Sequence, residues 1–459
     1  MARRSVVATL LALSSLAAPP GFAQQAAPGL GGLLLRFFSP SNPVILQSGA
    51  GGTGVGSGGG GGQGTGPAAN HAAHFTSQQS AREVLTEFDR AIATQIATFP
   101  VGSSSASFTY TLDRSLGVYN RNTQSFGPLF TERPLTAGKG KLSFGMNYLD
   151  ATYDSFEGHD LKGGHDLTLY LLHEDTNRDG SLLTTFFEGD IIRADLTIDL
   201  RNQTTVFFAN YGIAPRLDLG VALPYLRLSM NARIDASIER LATVNDPNVH
   251  SFAGDADSQS FDESGAADGI GDVLVRTKYN FLRGRALDMA ALLDLRLPTG
   301  KDEDLLGSGN FRTRLALVAG GSGRFAPRAS LGYTLSSGSG TYTGTLPDEL
   351  DWSAGFDLAP HRRVTITADL IGRTLFDTDR LVDHERTFAY ERQRSTVVET
   401  TTRVETVTEK GNLTLFLGSA GVKINVIGRL LLVGNVLFSI GDRGLQDHLT
   451  PVVGVDYSF

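Results

Sequence analysis

Along residues 269–309, apolar and polar side chains alternate one for one. Val273, Val275, Thr277, Tyr279 and Phe281 share one parity; Asp272, Leu274, Arg276, Lys278 and Asn280 share the other. After a short turn at Arg283-Gly284-Arg285 the pattern resumes, with Leu287, Met289, Ala291, Leu293, Leu295 and Leu297 set against Asp288, Ala290, Leu292, Asp294 and Arg296. Successive side chains of a strand point to opposite faces, so this is an antiparallel hairpin with one apolar and one polar face. Its strands exceed the about 5–6 residues usual in soluble sheets. They match the roughly 9–11 residues that cross a bilayer at a tilt. Charges at mid-strand on the polar face predict a transmembrane, antiparallel up-and-down β-barrel, with lipid outside and a polar lumen inside.

The same reading places further strands near 105–113, 141–153, 165–173, 190–211 and 216–238. Others follow near 310–320, 326–336, 350–358, 363–374, 413–424, 429–440 and 451–459, for about 14 in all with 12–16 admissible. The strands at 190–211 and 216–238 are long enough to stand above a membrane. Connections alternate in length: 214–215, 283–285, 322–323, 359–361 and 427–428 are tight, whereas 241–268, 299–309, 337–349, 375–412 and 441–449 are long and polar. Short turns on one side and long loops on the other distinguish the periplasmic and extracellular ends of an outer-membrane barrel. An even strand count then puts both ends of the barrel in the periplasm.

Ahead of the strands the pattern changes three times. Residues 1–23 read as a signal peptide: Arg3 and Arg4, an apolar core over 6–16, and the small-x-small site Gly21-Phe22-Ala23. Residues 24–73 are low in complexity, with one apolar knot (Leu33 to Phe38) and a glycine tract over 49–66. Such a stretch buries too little to offset its ordering entropy, so it is expected to be a flexible, disordered periplasmic leader. Residues 74–100 switch to helical period through Ala81, Val84, Leu85, Phe88, Ala91, Ile92, Ile96 and Phe99. Ser80 and Glu83 form a capping box, and Pro100 stops the run. An amphipathic helix must rest on something: a plug in the periplasmic mouth, the periplasmic rim, or another subunit. Residues 101–459 make up the barrel.

The last strand ends Val453, Val455, Tyr457, Phe459 on one parity. A terminal aromatic on an alternating strand resembles the address read by the bacterial barrel-assembly machinery, which makes Tyr457 and Phe459 the candidate assembly signal. Tyr148, Tyr211, Tyr225, Tyr279, Phe281, Tyr333, Trp352 and Phe438 fall near strand ends, where aromatic girdles belong.

Several motifs carry a family resemblance. Tyr211-Gly212-Ile213 followed by Arg216 to Tyr225 (RLDLGVALPY) resembles a recurring hairpin of outer-membrane transporters labelled phenol-degradation meta-pathway proteins. Gly269-x-Gly271-Asp272 leading to Lys278-Tyr279, then Leu297-Pro298-Thr299-Gly300 and Leu306-Gly307-x-Gly309, is similar to the same family's middle. The resemblance spans roughly residues 140–459. It implies an outer-membrane barrel that passes hydrophobic or aromatic compounds, and assigns no catalytic group.

Composition narrows the chemistry. The 459 residues are 41% hydrophobic and 19% charged, with 54 glycines and no cysteine, so disulfide and thiolate metal sites are excluded. A formal charge of −8 argues against nucleic acid. No apolar run after the signal is long enough for a transmembrane helix, which leaves a barrel open. Asp175, Asn177 and Asp179 match the first half of a calcium loop, but Phe186 stands where the bidentate carboxylate belongs, so no metal is expected. Gly138-Lys139-Gly140-Lys141 lacks the strand–loop–helix setting of a phosphate loop. No Ser/His/Asp constellation emerges, so neither catalysis nor a cofactor is expected.

The functional candidates are the charges placed on the lumen face: Arg193, Asp195, Asp199, Asp272, Arg276, Lys278, Asp294, Arg296, Arg312, Arg314, Arg363, Asp369 and Arg373. Within a membrane span such groups face water or one another. They either set permeant selectivity or cross-link the wall as ion pairs. The expected function is an outer-membrane channel for small hydrophobic or aromatic molecules. The expected partners are outer-membrane lipid, the assembly machinery and that permeant. A non-conducting structural or surface-interaction barrel and a rim-located hydrolase are the alternatives.

Overall fold

The computed structural model describes residues 29–39, 42–43, 79–98, 110–113, 118–121 and 125–459, apart from 174, 176–178, 184, 245–248, 253, 255 and 285. Fourteen strands form one antiparallel sheet. They are β1 Leu142–Tyr153, β2 Thr168–Leu172, β3 Ile191–Ala214, β4 Leu217–Glu239 and β5 Ser258–Ile270, then β6 Val273–Arg283, β7 Asp288–Leu297 and β8 Asn310–Gly320. The rest are β9 Phe325–Gly338, β10 Glu349–His361, β11 Val364–Glu391, β12 Val398–Ile427, β13 Leu430–Ile440 and β14 Thr450–Ser458. β2 and β5 flank the ring, so twelve strands close it, with the seam made by β14 on β1. That number is the lower end of the expected range.

The difference lies in two short segments. Of the strand expected at 105–113, Tyr110–Asp113 pairs only with Val118–Arg121, apart from the barrel. The strand expected at 165–173 becomes β2, five residues lying beside the first residues of β3. Conversely, parts of two expected loops are strands. β5 pairs with β4 from Tyr225 upward, while β6 takes over the same edge of β4 from Ala222 down. β11 and β12 stay paired as far as Glu391 and Val398, past a bulge between Leu375 and Thr378. These segments lack the strict one-for-one apolar alternation of the belt strands, so alternation alone does not announce them.

Leu142 and Phe459 meet at the short-turn end, where the Phe459 N–H donates to the Leu142 carbonyl (2.8 Å). This is the periplasmic end by the loop-length rule. The outer wall is as the pattern predicts: Tyr279, Phe281, Leu293, Leu315, Leu317 and Leu331 are exposed on it, while Arg276 and Asp294 are buried inside.

Above the membrane belt the two faces exchange polarity. On β4 the outward residues are Leu219, Val221, Leu223 and Tyr225, then Arg227, Asn231, Arg233 and Asp235. From Leu226 the inward residues become apolar and buried: Leu228, Met230, Ala232, Ile234, Ala236 and Ile238. β3 does the same through Ile192, Ala194, Leu196, Ile198 and Leu200. Register does not slip; the solvent outside changes from lipid to water, and the inside from a polar lumen to a dry core. Hydrophobic burial therefore stabilises a dome standing on the barrel.

The dome core is filled from the N-terminal region. Helix α1 (Gln79–Thr98) buries Leu85, Phe88, Ala91, Ile92 and Ile96 there, each large side chain contributing roughly 1.5–3 kcal/mol of transfer free energy. Phe88 packs edge-on against Phe156 (5.6 Å). Two 3-10 turns, Leu30–Gly32 and Leu34–Phe37, join the same core. Two expectations are thereby corrected. Residues 29–39, read as part of a flexible periplasmic leader, are folded, because four large apolar residues find a closed pocket. The helix lies inside the barrel, but at the long-loop end, not in the periplasmic mouth, because the apolar inner face of β3 and β4 lies there. The glycine tract and the signal peptide lie outside the described residues.

The lower lumen is filled by residues 125–137, where the alternation predicts no element. Its polar groups bond to the wall: Thr131 Oγ1 to Asp369 (2.9 Å), the Ala137 N–H to Asp218 (2.8 Å), and Asn280 Nδ2 to the Pro134 carbonyl (3.0 Å).

Candidate functional site

Between these two fillings lies a chamber of about 150 Å³, with Thr98 at its upper side and Phe130, Thr131 and Glu132 of the lower filling beneath it. Its wall comes from β6 to β11, whose inward parity is polar at this height. Arg276 on β6 faces Asp294 on β7 in register and donates to it from Nε and Nη2 (2.6 and 2.7 Å). Asp294 in turn faces Arg314 on β8 (3.2 Å). Glu132 of the lower filling completes the cluster, pairing with Arg276 and with Lys278 Nζ (2.8 Å). Bidentate arginine–carboxylate pairs of this kind are charge-assisted and geometrically fixed.

Some of these contacts skip a strand. Arg314 reaches across β9 to Asp351 on β10 (2.5 and 2.8 Å). It can do so because Gly332 lies between them: a Cβ there would stand 2.6 Å from Asp351 and 2.8 Å from the guanidinium. Arg328 on β9 likewise passes over Gly355 to reach Asp369 on β11 (2.5 Å), and also pairs with Asp357. Arg373 and Arg312 share Glu349, at 2.6 and 2.9 Å. From β6 to β11 the lumen wall is braced by ion pairs that tie different strands to one another or to Glu132.

Arg296 differs. No carboxylate among the described residues lies within ion-pair distance of it; its Nη1 donates to the Ala97 carbonyl (2.6 Å) at the C-terminal end of α1. It lines the chamber and also a smaller cavity of about 40 Å³ above, bounded by Ile96, Ala97, Leu226, Leu305 and Leu306. One side chain thus stands at the neck between a polar and a largely apolar compartment.

Of the residues expected on the lumen face, Arg276, Lys278, Asp294, Arg296, Arg312, Arg314, Asp369 and Arg373 are there. Of these, Lys278 and Asp369 lie outside the chamber itself, and the other five candidates are placed elsewhere. Arg193, Asp195 and Asp199 lie on the outer parity of β3, with Arg193 bound to Asp195 (3.0 Å), above the belt where the outside is wet. Asp272 is buried at the β5–β6 junction and accepts from Ser308 N and Oγ (2.9 and 2.6 Å) and Gly300 N (3.1 Å), so it holds the 299–309 loop. Arg363 is exposed in the tight turn before β11. Glu349, Asp351, Arg328 and Asp357 were missed, although Asp351 and Asp357 share a parity inside an expected strand. Nothing in the sequence pointed to Glu132.

Tyr457 and Phe459 are exposed on the outer wall at the short-turn end, in edge-to-face contact (4.8 Å). Asp175 accepts from the N–H groups of Asp179 (3.2 Å) and Gly180 (2.6 Å), closing its own turn; Asn177 lies outside the described residues. Among the described residues no acidic or histidine cluster is arranged for a metal.

Among solved structures, the chain is similar to an outer-membrane channel from Pseudomonas putida F1, with 11% identity, 70% of this chain and 96% of that one covered, and a TM-score of 0.39. It is also similar to a FadL homologue from Pseudomonas aeruginosa (10% identity, 70% and 89% covered, TM-score 0.28). A third is the Ralstonia pickettii toluene transporter TbuX (10% identity, 70% and 90% covered, TM-score 0.27). No curated protein matches. Residues 190–400, from the start of β3 into β12, match the family described as "Putative MetA-pathway of phenol degradation", the family that the hairpin motifs had suggested.

Proposed function

We propose that this chain is an outer-membrane channel for small hydrophobic or aromatic molecules, entered through the apolar dome and stoppered at rest by α1 and residues 125–137. The observation that carries this reading is the position of Arg296, which borders the chamber and the smaller cavity above it and holds the end of the helix dividing these two. The chamber has the volume of a cavity that accepts a single aromatic ring, about 150 Å³. The cavity above it, about 40 Å³, does not, so passage requires α1 to shift. An apolar permeant would replace contacts that the helix makes with the dome, at little cost in buried area. The phenol-degradation description of the matching family supports an aromatic permeant.

Export in this reading uses the signal peptide at 1–23, and insertion uses the strand end at Tyr457 and Phe459. Purified protein in liposomes tests the function. A single-ring aromatic should enter faster than a sugar of similar size, and Arg296→Ala should raise both rates. Equal, background rates for both solutes in both proteins would reject it. That result would instead favour a sealed structural barrel, a reading supported by the ion pairs that fill the lower lumen.

A further inference from the structure

The positions of residues 29–37 and α1 carry a topological consequence. Leu30, Leu33, Leu34 and Phe37 are 0–3% exposed in the dome. Neighbouring groups belong to two long loops: a Cβ at Gly31 would stand 2.8 Å from the Tyr342 ring, and one at Gly29 would collide with the Glu303 carbonyl. Helix α1 runs inward from there. Glu87 bonds Thr408, and Arg90 faces Asp379 (3.9 Å), both on the raised part of the β11–β12 hairpin. Ala97 and Thr98 reach the chamber, where Thr131 and Glu132 lie opposite. Residues 125–137 enter from the short-turn end and return to it, the Phe126 N–H donating to Thr365 and the Ala137 N–H to Asp218, and β1 also begins there.

We infer that the chain is threaded once through its own barrel, so that it emerges at the extracellular surface at Gly29. Besides passing small molecules, the barrel displays its amino-terminal arm. Display requires the arm to cross the membrane during assembly, and the lumen is the path left for it, since β1 to β14 close the ring around residues 125–137. This inference stands apart from the channel reading and would survive a barrel that conducts nothing.

Epitope tags placed in three separate full-length variants test it: immediately before Gly29, in the short turn at Gly284, and at the hairpin tip at Arg394. Intact cells are stained with an antibody that does not cross the outer membrane, then stained again after permeabilisation. The Gly29 and Arg394 tags should stain on intact cells, and the Gly284 tag only after permeabilisation. A Gly29 tag that stains only after permeabilisation overturns the inference, as does reversal of the other two. Should a tag prevent assembly, the chain's lack of cysteine allows a second measurement. Gly31→Cys with Tyr342→Cys should form a disulfide on mild oxidation, seen as a gel shift reversed by reductant. A folded barrel with no such cross-link would also overturn the inference.

Discussion

The Arg296 guanidinium donates to the Ala97 carbonyl at 2.6 Å, capping the C-terminal end of α1 from the barrel wall. The helix end carries partial negative charge, so a cation there is favourable. A hydrogen bond from a charged donor is worth about 1.5–3 kcal/mol when lost from a buried site. Arg296→Gln should therefore shift the plug equilibrium toward release by roughly 10- to 100-fold. Single-channel recording checks this as a rise in open probability; unchanged gating would show that the bond does not hold the helix.

Asp294 binds two arginines, Arg276 and Arg314. Asp294→Ala leaves both short of a partner, and breaking a buried pair in this way costs about 3–5 kcal/mol. The expected outcome is a lower denaturant midpoint of the detergent-solubilised barrel, together with faster proteolysis within residues 125–137. Lys423 on β12, whose partner Asp456 lies on β14 across β13 (3.3 Å), serves as a control: Lys423→Met should weaken the barrel and leave the 125–137 segment protected.

The exchange of faces on β4 gives a positional expectation. Leu315 is 60% exposed on the hydrocarbon belt, and an arginine near the bilayer midplane costs about 2–4 kcal/mol. Leu315→Arg should lose stability of that order. Arg233→Leu, on the same outward side but above Tyr225, should change it by less than about 0.5 kcal/mol. Unfolding from lipid vesicles distinguishes the two; equal costs would mean the belt does not end at Tyr225.

Asp89 on α1 is buried, and its Oδ2 has no hydrogen-bond partner among the described residues. Burial pushes its carboxyl well above the usual carboxylate range, with the Arg36 charge opposing. A carboxyl whose docked value is raised takes up a proton on docking. The plug should therefore hold more tightly as pH falls through that raised value, and loosen above it. Hydrogen exchange along α1 at two pH values measures this, and Asp89→Asn should abolish the difference.

Much of this architecture was legible in the sequence where one rule governs a whole segment. Strict alternation in β6 to β10 gave both the strands and the direction of Arg276 and Asp294, because lipid on one side and water on the other enforce a period of two. In β3 and β4 the same rule misleads when carried upward, since the outside turns from lipid to water at Tyr225. Arg193, Asp195 and Asp199 were assigned to the lumen for that reason. The switch is written in the sequence: apolar residues fall on odd positions from Leu217 to Tyr225 and on even ones from Leu226 to Ile238. The 125–137 filling was not legible. Its residues, Glu132 among them, are held by side chains from distant strands and make no periodic pattern of their own.

The most direct measurement is single-channel conductance in planar bilayers, comparing the full chain with one lacking Gln79–Thr98. The full chain should be mostly closed, with brief openings, and the shortened chain should show a larger, sustained conductance. Closed traces from both proteins, with the shortened barrel shown to be folded, would contradict a channel stoppered by its own helix.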